Sequence, residues 1–295
     1  MENTNLVHRS GFVAIMGKPN AGKSTLMNAL VGEKLSIATH KAQTTRHRVI
    51  GIFSDEDHQI IFLDTPGLIN PKYALQRSMV QSAEKAGRDA DMVLFLVETG
   101  EDRIPEEAFE SLKKMNKPLL LGINKIDRDA TGSYESLITD LIAKVPFKEV
   151  FRLSALRGDG LEELMAYLKE HLPPGPAFYP KEDLSEHPER FFVEELIREQ
   201  IFLQYRQEIP YNAAVSILQY DDQVDLATIE ADIIVGRDGH KGIIIGKGGA
   251  ALKKLGTAAR LEIEQFIGKQ VHLKLFVKVR PDWRDHEGFV RSYGY

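Results

Sequence analysis

The chain contains 295 residues, of which 43% are hydrophobic and 27% charged, and its formal net charge is −5. This length predicts about two domains, and the composition is that of an ordinary globular protein. Cysteine is absent, which excludes disulfides and thiolate metal sites. No apolar stretch approaches the ~20 residues that a membrane-spanning helix needs, and we expect no secretory signal peptide at the amino terminus.

Strand-like and helix-like segments alternate between residues 10 and 172. The hydrophobic patterns predict buried strands at 12–16, 49–53, 59–63, 92–97, 119–123 and 150–153. They predict amphipathic helices at 76–88, 106–115, 134–144 and 161–171. Such alternation is typical of an α/β domain whose mostly parallel sheet carries helices on both faces. Ligands of these sheets bind at the carboxyl ends of the strands.

The first predicted strand is followed by GKPNAGKS, the phosphate-loop pattern of nucleotide-binding proteins. Its glycines let successive backbone N–H groups point toward a phosphate chain. Lys23 can reach the β- and γ-phosphates, and Ser24 can offer its hydroxyl to Mg²⁺. The predicted binding residues of this loop and of the first helical turn are Gly17, Lys18, Pro19, Asn20, Ala21, Gly22, Lys23, Ser24 and Thr25.

Two further motifs follow strands of the same predicted sheet. Asp64 begins DTPG, where its carboxylate can support Mg²⁺, and the N–H of Gly67 can approach a γ-phosphate because no side chain intervenes. Asp127 ends NKID. An ionised carboxylate only accepts hydrogen bonds, so Asp127 can pair with two donors on one edge of guanine but not with adenine. The sequence therefore predicts GTP, and the other predicted nucleotide-binding residues are Thr65, Pro66, Leu68, Asn124, Lys125, Ile126, Ser154, Ala155 and Leu156.

The loop at 41–46 contains two neighbouring threonines, Thr44 and Thr45. A threonine hydroxyl here can complete the Mg²⁺ shell when a γ-phosphate is bound and release it afterwards, which would form an order–disorder switch. The residues alone do not choose between the two threonines.

In their order and spacing, GKPNAGKS, KAQTTR, DTPG, NKID and SAL resemble the translation-factor-class GTPases, and the Pro-Asn and Thr-Thr-Arg elements resemble the TrmE/Era branch. The resemblance spans residues 10–172 and implies that Thr45 is the switch threonine. With it, the predicted Mg²⁺ ligands are Ser24, Thr45 and Asp64, and the predicted catalytic residues are Asn20, Lys23, Thr45, Asp64 and Gly67.

One catalytic element of the small signalling GTPases is missing. They place a water-orienting glutamine directly after the Asp-x-x-Gly motif, whereas Leu68 and Ile69 stand here. In related GTPases an asparagine at the place of Asn20 is associated with a K⁺ ion beside the phosphates, and we hypothesise that K⁺ accelerates hydrolysis. The alternative is that Asn20 only braces the loop. Arg46 is a candidate arginine finger by position alone, and we expect it to be a solvated side chain.

The alternating pattern stops at Pro173-Pro174-Gly175-Pro176, which cannot continue a helix. We predict a GTPase domain at 1–175, a linker rich in proline and charge at 176–189, and a smaller α+β domain at 190–295. Its predicted elements are a helix at 191–208, strands at 213–219 and 227–235, a helix at 250–267 and a strand at 271–279.

Basic residues are concentrated in one part of this second domain. Residues 237–280 contain ten basic and three acidic residues, whereas residues 181–236 contain four basic and thirteen acidic ones. A basic stretch in an otherwise acidic chain is typical of a nucleic-acid-binding face.

The sequence Gly246-Lys247-Gly248-Gly249 superficially repeats the phosphate loop. Because Gly248 stands where a serine or threonine would ligate Mg²⁺, we do not expect a second nucleotide site. Instead, a Gly-x-x-Gly turn that opens a helix resembles the clamp of a bacterial-type (type II) KH domain, which grips single-stranded RNA by its backbone. The resemblance implies RNA contacts from Arg237, Lys241, Ile245, Gly246, Lys247, Gly248, Gly249, Lys253 and Lys254.

Both domains together, including VKVRPDW at 277–283, resemble the Era family over nearly the whole chain. This implies a monomeric, cytoplasmic GTPase of 30S ribosomal subunit assembly that binds the 3′ region of 16S rRNA and has a peripheral inner-membrane fraction. The alternative is a signalling or cell-cycle GTPase at a membrane surface, whose KH-like domain binds protein or anionic lipid. A GTP-dependent tRNA-modifying enzyme would require a catalytic cysteine or a folate domain, and neither is visible.

Overall fold

The computed structural model describes residues 8–39, 41–101, 104, 106–129, 132 and 134–295. Its contacts divide the chain into two compact units. The first comprises Met1–Asn70 and Met79–Glu186, and the second comprises Pro71–Ser78 and His187–Tyr295.

The first unit contains a six-stranded sheet in the order β2-β3-β1-β4-β5-β6. β2 is antiparallel to β3, and all other neighbouring pairs are parallel. The strands are β1 (Arg9–Gly17), β2 (Val49–Ser54), β3 (His58–Asp64), β4 (Met92–Glu98), β5 (Leu119–Asn124) and β6 (Glu149–Arg152). The helices are α1 (Lys23–Val31), α2 (Ala74–Asp89, which belongs to this unit from Met79 onward), α3 (Glu106–Lys114), α4 (Tyr134–Lys144) and α5 (Leu161–His171). The predicted mostly parallel sheet is confirmed.

Helices cover both faces of this sheet. Successive side chains of a strand point to opposite faces, and Val13, Ala14, Ile15 and Met16 of β1 are all fully buried. Ala14 and Met16 belong to a core that also contains side chains of α2, α3 and α4, while α1 contacts β1, β2 and β3. The carboxyl ends of the parallel strands therefore remain the open edge of the unit, as predicted.

The predicted linker at 176–189 is fixed to the first unit up to Glu186. The completely buried Gln59 accepts hydrogen bonds from the N–H groups of Phe178 (2.7 Å) and Tyr179 (3.0 Å), and donates to the Tyr179 carbonyl (2.9 Å). Farther along, the Ile52 N–H donates to the Leu184 carbonyl at 2.8 Å. The contact with Leu184 covers the outer side of β2, which is the edge strand of the sheet.

Replacing Gln59 by alanine should destabilise the first unit by about 2–4 kcal/mol, because two N–H groups and one carbonyl lose the hydrogen-bond partner that this buried side chain provides. Urea unfolding would measure the change, and limited proteolysis at 176–186 should become faster. Gln81→Ala is the matched control because Gln81 is an exposed residue of α2. Equal unfolding free energies and proteolysis rates for the two variants would contradict this role of Gln59.

The second unit contains a three-stranded sheet in the order β7-β8-β9, with β7 antiparallel and β9 parallel to β8. The strands are β7 (Ala213–Asp222), β8 (Leu226–Val235) and β9 (Gln270–Val279), and the helices are α6 (Glu189–Gln204), α7 (Asp238–Ile245), α8 (Ala250–Ile267) and α9 (Glu287–Ser292). This order confirms the predicted α+β domain. Within the described residues, no helix is long and apolar enough to cross a membrane.

Two elements of this unit differ from the sequence prediction for one reason. Helix α6 ends at Gln204 rather than at residue 208, and α7 precedes the glycine turn where no helix is predicted. Tyr205 has an extended backbone, and its hydroxyl donates to the carbonyl of the fully buried Ile244 at 2.9 Å. Tertiary packing thus outweighs the low helix propensity of Gly239 and Gly242 in α7.

Candidate nucleotide and nucleic-acid sites

A cavity of about 540 Å³ lies at the carboxyl-end edge of the first unit's sheet. It brings together residues of the phosphate loop, the loop before β2, the DTPG segment and the loops after β5 and β6. The predicted residues that line it are Pro19, Asn20, Gly22, Lys23, Ser24, Thr25, Thr45, Gly67, Asn124, Lys125, Asp127, Ala155 and Leu156.

Two glycines of the phosphate loop occupy places where no other residue fits. Gly17 has φ +150°, and a Cβ there would lie 2.2 Å from the Leu96 carbonyl oxygen. Gly22 has φ +96°, and a Cβ there would lie 2.2 Å from the Asn124 amide nitrogen. The loop can therefore pass close to β4 and to the NKID segment at 124–127, which we call the base-binding loop, with α1 beginning directly after the phosphate loop.

Lys23 is a buried cation whose described partners are two backbone carbonyls of the same loop. Its ammonium donates to Gly17 at 3.2 Å and to Lys18 at 2.8 Å. Burial lowers the pKa of Lys23 to about 8, although Asp64 opposes this shift. A dehydrated ammonium at the amino terminus of a helix is a strong attractor of phosphate.

The predicted metal ligands converge beside Lys23. The Ser24 hydroxyl donates to Asp64 Oδ2 at 2.7 Å and lies 2.9 Å from the Thr45 hydroxyl. The Thr44 hydroxyl instead donates to the Lys41 carbonyl at 3.1 Å. The structure therefore supports Thr45, rather than Thr44, as the switch threonine.

These ligands fit Mg²⁺. Asp64 is fully buried and its Oδ1 has no hydrogen-bond partner, so one carboxylate oxygen is free to accept from a metal-bound water. Burial raises the pKa of the Asp64 carboxyl, and a nearby cation would favour its ionised form. Among the described residues, no group of three or more histidine, cysteine or acidic side chains is placed so that it could hold a metal ion. Hydroxyl, carboxylate and phosphate oxygens are the ligands that Mg²⁺ prefers.

Asp127 is held in place for base recognition by Ser154. The Ser154 hydroxyl donates to Asp127 Oδ1 at 2.6 Å, and this hydrogen bond is the main cause that lowers the pKa of Asp127. Asn124 links the base-binding loop to its neighbours, because its amide donates to the Ala21 carbonyl (2.8 Å) and accepts from the Ala155 N–H (3.0 Å). Asp127 can thus remain an ionised acceptor for the two donors of guanine.

Several predicted residues have structural roles instead of lining the cavity. The Thr65 hydroxyl donates to the Ile15 carbonyl at 2.8 Å, and Ile126 packs against the sheet's core. Leu68 lies in that core, and its N–H donates to the Gly17 carbonyl at 3.0 Å, so it presents no donor to a nucleotide. Arg46 is only 4% exposed, so the expectation of a solvated side chain was wrong. The cavity lining also lacks Gly17, Lys18, Ala21, Asp64, Pro66 and Ser154.

The structure also places residues at the cavity that no motif indicated. They are Ile37, Ala38, Thr39, Glu98 and Arg128; Gln43 and Thr44 of the KAQTTR segment line the cavity as well. Glu98 is the last residue of β4, and the rule that ligands bind at carboxyl ends of strands could have found it. The apolar residues before β2 carried no such signal.

The second unit presents its glycine turn at the start of α8. Gly246, Gly248 and Gly249 all have positive φ, at 69°, 59° and 81°. Lys247, Gly248, Lys253 and Lys254 are exposed. A groove of about 390 Å³ continues from Gly249 between α8 and β9, with Leu252, Leu273 and Leu275 on its floor and Lys253 and Arg260 along it. An apolar floor beside a basic turn suits single-stranded nucleic acid.

Three other residues of this unit make contacts that weaken their case as RNA-binding residues. Arg237 donates to Glu208 at 2.6 Å, so its charge is already paired. Ile245 packs against the hydrophobic core of the unit. Trp283 is 1% exposed and donates to the Asn212 carbonyl at 3.0 Å, which makes it a core residue and not a base-stacking one. Of the predicted RNA contacts, Arg237 and Ile245 therefore have weaker structural support than the turn and its lysines.

Comparisons with known proteins agree that the chain combines a nucleotide-binding unit with a nucleic-acid-binding unit. Residues 12–125 match the family described as 50S ribosome-binding GTPase, and residues 208–284 match the KH domain family. A structure of Era in complex with MgGDPNP and nucleotides 1506–1542 of 16S ribosomal RNA is 40% identical, with a TM-score of 0.94, and covers 98% of this chain and 99% of that one. A single-residue variant of Aquifex aeolicus Era bound to GDP·AlF₄⁻ is 41% identical, with a TM-score of 0.93, and covers 97% and 99%.

Proposed function

Because the chain belongs to the Era family, we propose that it hydrolyses GTP and binds the 3′ region of 16S rRNA as an assembly factor of the 30S ribosomal subunit. The observation that carries this proposal is that one chain contains two separate candidate sites for binding phosphate. One is the buried Lys23 beside Ser24, Thr45 and Asp64. The other is the exposed Gly-x-x-Gly turn at the start of α8.

In the nucleotide site, each residue has a task that its geometry supports. When bound, Mg²⁺ neutralises negative charge on the phosphate oxygens. The Lys23 ammonium stabilises charge that develops on the β- and γ-phosphates, because it is held in a dehydrated loop where electrostatic interactions are strong. A Cβ at Gly67 would lie 2.6 Å from the Pro19 nitrogen, so only glycine lets this backbone lie against the phosphate loop. Leu68 offers no group to orient the attacking water.

We also propose that a K⁺ ion bound beside Asn20 accelerates GTP hydrolysis and partly compensates for the missing glutamine. Asn20 lines the cavity and has a left-handed backbone with φ +68°. A cation beside the phosphates would stabilise transition-state charge. We expect GTP turnover to be at least about tenfold faster in KCl than in NaCl of equal ionic strength, a difference of the size that one positioned charge provides. Asn20→Ala should abolish the difference between the two salts. Equal turnover rates of the wild-type protein in KCl and NaCl would contradict the proposal.

On the RNA side, the glycine turn lets a phosphate backbone approach the amino terminus of α8, where the helix dipole favours negative charge. Lys247, Lys253 and Lys254 are exposed beside it and can contact successive phosphates. Leu273 and Leu275 supply an apolar surface for bases. This arrangement favours a single strand, because a duplex does not expose its bases to such a floor.

We further propose a cytoplasmic monomer with a peripheral membrane fraction, a part that rests on the family resemblance alone. The competing function, a membrane-surface GTPase, is tested together with the main one. Binding of the full chain to a single-stranded 16S 3′ fragment, to duplex RNA and to anionic phospholipid vesicles should show a clear preference for the single strand. Stronger binding to vesicles than to the single strand would favour the membrane function and overturn the proposal.

A further inference from the structure

Residues 98–101, which we call the acidic brace, contact both the phosphate loop and the base-binding loop. The Glu98 carboxylate accepts a hydrogen bond from the Lys125 ammonium, and the Glu101 carboxylate accepts one from the Lys18 ammonium. Glu98 also lines the nucleotide cavity. No sequence motif pointed to this segment, and nothing in the mechanism above uses it.

Thr99 fixes the same segment to the base-binding loop. Its N–H donates to the Asn124 carbonyl at 3.0 Å, and its hydroxyl donates to the Lys125 carbonyl at 3.1 Å. The turn is closed by the Glu101 N–H, which donates to the Glu98 carbonyl at 3.2 Å. The brace therefore holds Lys125 at its backbone and at its ammonium together.

The residues held by the brace have backbones that need support. Lys125 and Asn20 both lie in the left-handed region, with φ +65° and +68°. Non-glycine residues in this region are strained, and they keep such conformations only where their surroundings fix them. The Lys125 ammonium also donates to the Asn20 carbonyl at 2.6 Å. One side chain thus connects the base-binding loop, the phosphate loop and the brace.

The side chains that form the ion pairs of the brace are all partly shielded from solvent. The side chains of Lys125 and Glu98 are 20% and 32% exposed, and those of Lys18 and Glu101 are 30% and 11% exposed. Removing Glu98 would have two opposing effects. It would let both loops relax, so that binding must order them again, and it would free a cation that attracts phosphate. Relaxation acts mainly on how fast a bound nucleotide leaves, whereas charge acts mainly on how fast it arrives.

We propose that the acidic brace is a positioning element that sets the residence time of guanine nucleotides, with Glu98 and Thr99 as its main positioning residues. The brace holds Lys125 over the base and keeps the phosphate loop in its binding conformation before the nucleotide arrives. This inference rests on the proposed GTP binding and adds a determinant of nucleotide release to it.

Stopped-flow dissociation of fluorescent GDP and GTP from the full chain tests the brace. Glu98→Gln removes the charge, and Thr99→Val removes a hydroxyl contact without changing charge. We expect both variants to release both nucleotides about five- to tenfold faster. Single-turnover hydrolysis of bound GTP by Thr99→Val, whose residue does not line the cavity, should stay within about twofold of the wild-type rate. Glu163→Gln is the control, because Glu163 is an exposed residue of α5.

Dissociation rates of Glu98→Gln and Thr99→Val equal to that of the control would overturn the inference. Slower release from Glu98→Gln with no change in Thr99→Val would also overturn it, since residue 98 would then act by repelling phosphate. If wild-type protein binds no guanine nucleotide, the proposed function fails and the inference fails with it. If the wild-type protein binds guanine nucleotides and the two brace variants release them at the control's rate, the proposed function stands and only the inference about the brace fails.

Discussion

Asp127→Asn should bind GTP and GDP at least on the order of a hundredfold more weakly than the wild-type protein, and it should gain affinity for xanthosine nucleotides. The ionised carboxylate accepts from both donors on the guanine edge, whereas an asparagine amide presents one acceptor and one donor. The asparagine NH₂ would face the exocyclic amine of guanine, so that two donors oppose each other. In xanthine an oxygen replaces this amine, and the NH₂ can donate a hydrogen bond to it. Sites that hydrogen-bond a group of the substrate reject analogues without a matching group by about a hundredfold or more.

Equilibrium titrations with GDP and xanthosine diphosphate would measure the switch. Asp140→Asn is the matched control, because Asp140 is an exposed residue of α4. The hydrogen bond from Ser154 to Asp127 can also form with an asparagine oxygen, so the variant should fold. Unchanged GDP affinity in Asp127→Asn would show that the base is not recognised at this residue.

The double variant Lys247→Asp with Gly248→Asp should lose about a hundredfold or more of its affinity for single-stranded RNA and keep its GTP hydrolysis. Both positions are exposed, and the change turns a basic clamp into an acidic one that repels phosphate. Gly248 has φ +59°, a conformation that aspartate tolerates better than most residues, and its Cβ would meet no atom within 4 Å. Gly246 is a poorer choice because its Cβ would lie 2.6 Å from that of Ala251.

The control for this variant is Lys114→Asp with Asn116→Asp in the first unit. It makes the same change in net charge at two exposed positions, and Asn116 also has a positive φ, at 51°. Filter binding and GTP turnover would be measured for both proteins. RNA affinity that falls equally in the two variants would mean that net charge, and not the glycine turn, controls binding.

Motifs that surround a ligand directly could be predicted from the sequence. Lys23 and Asp127 come after buried strands and Asp64 ends one, and the structure places them along one sheet edge as expected. The strands themselves were predictable because a buried parallel sheet requires nearly continuous apolar runs.

What the sequence could not supply depends on contacts between distant segments. The docking of residues 176–186 rests on Gln59, a polar residue that looks ordinary in a strand pattern. Helix α7 depends on the packing of Ile244, and the acidic brace depends on ion pairs with Lys18 and Lys125. None of these partners is near in sequence, so local patterns contain no signal for them.

The central claim is that one chain binds phosphate twice, on a nucleotide that it hydrolyses and along an RNA strand that it holds. Crosslinking of the tagged protein in cells, followed by sequencing of the attached RNA, tests this most directly. We expect crosslinks concentrated at the 3′ end of 16S rRNA, lost in Lys247→Asp/Gly248→Asp and retained in Lys114→Asp/Asn116→Asp. Crosslinks scattered over unrelated RNAs, or a 3′ peak that survives in Lys247→Asp/Gly248→Asp, would contradict it.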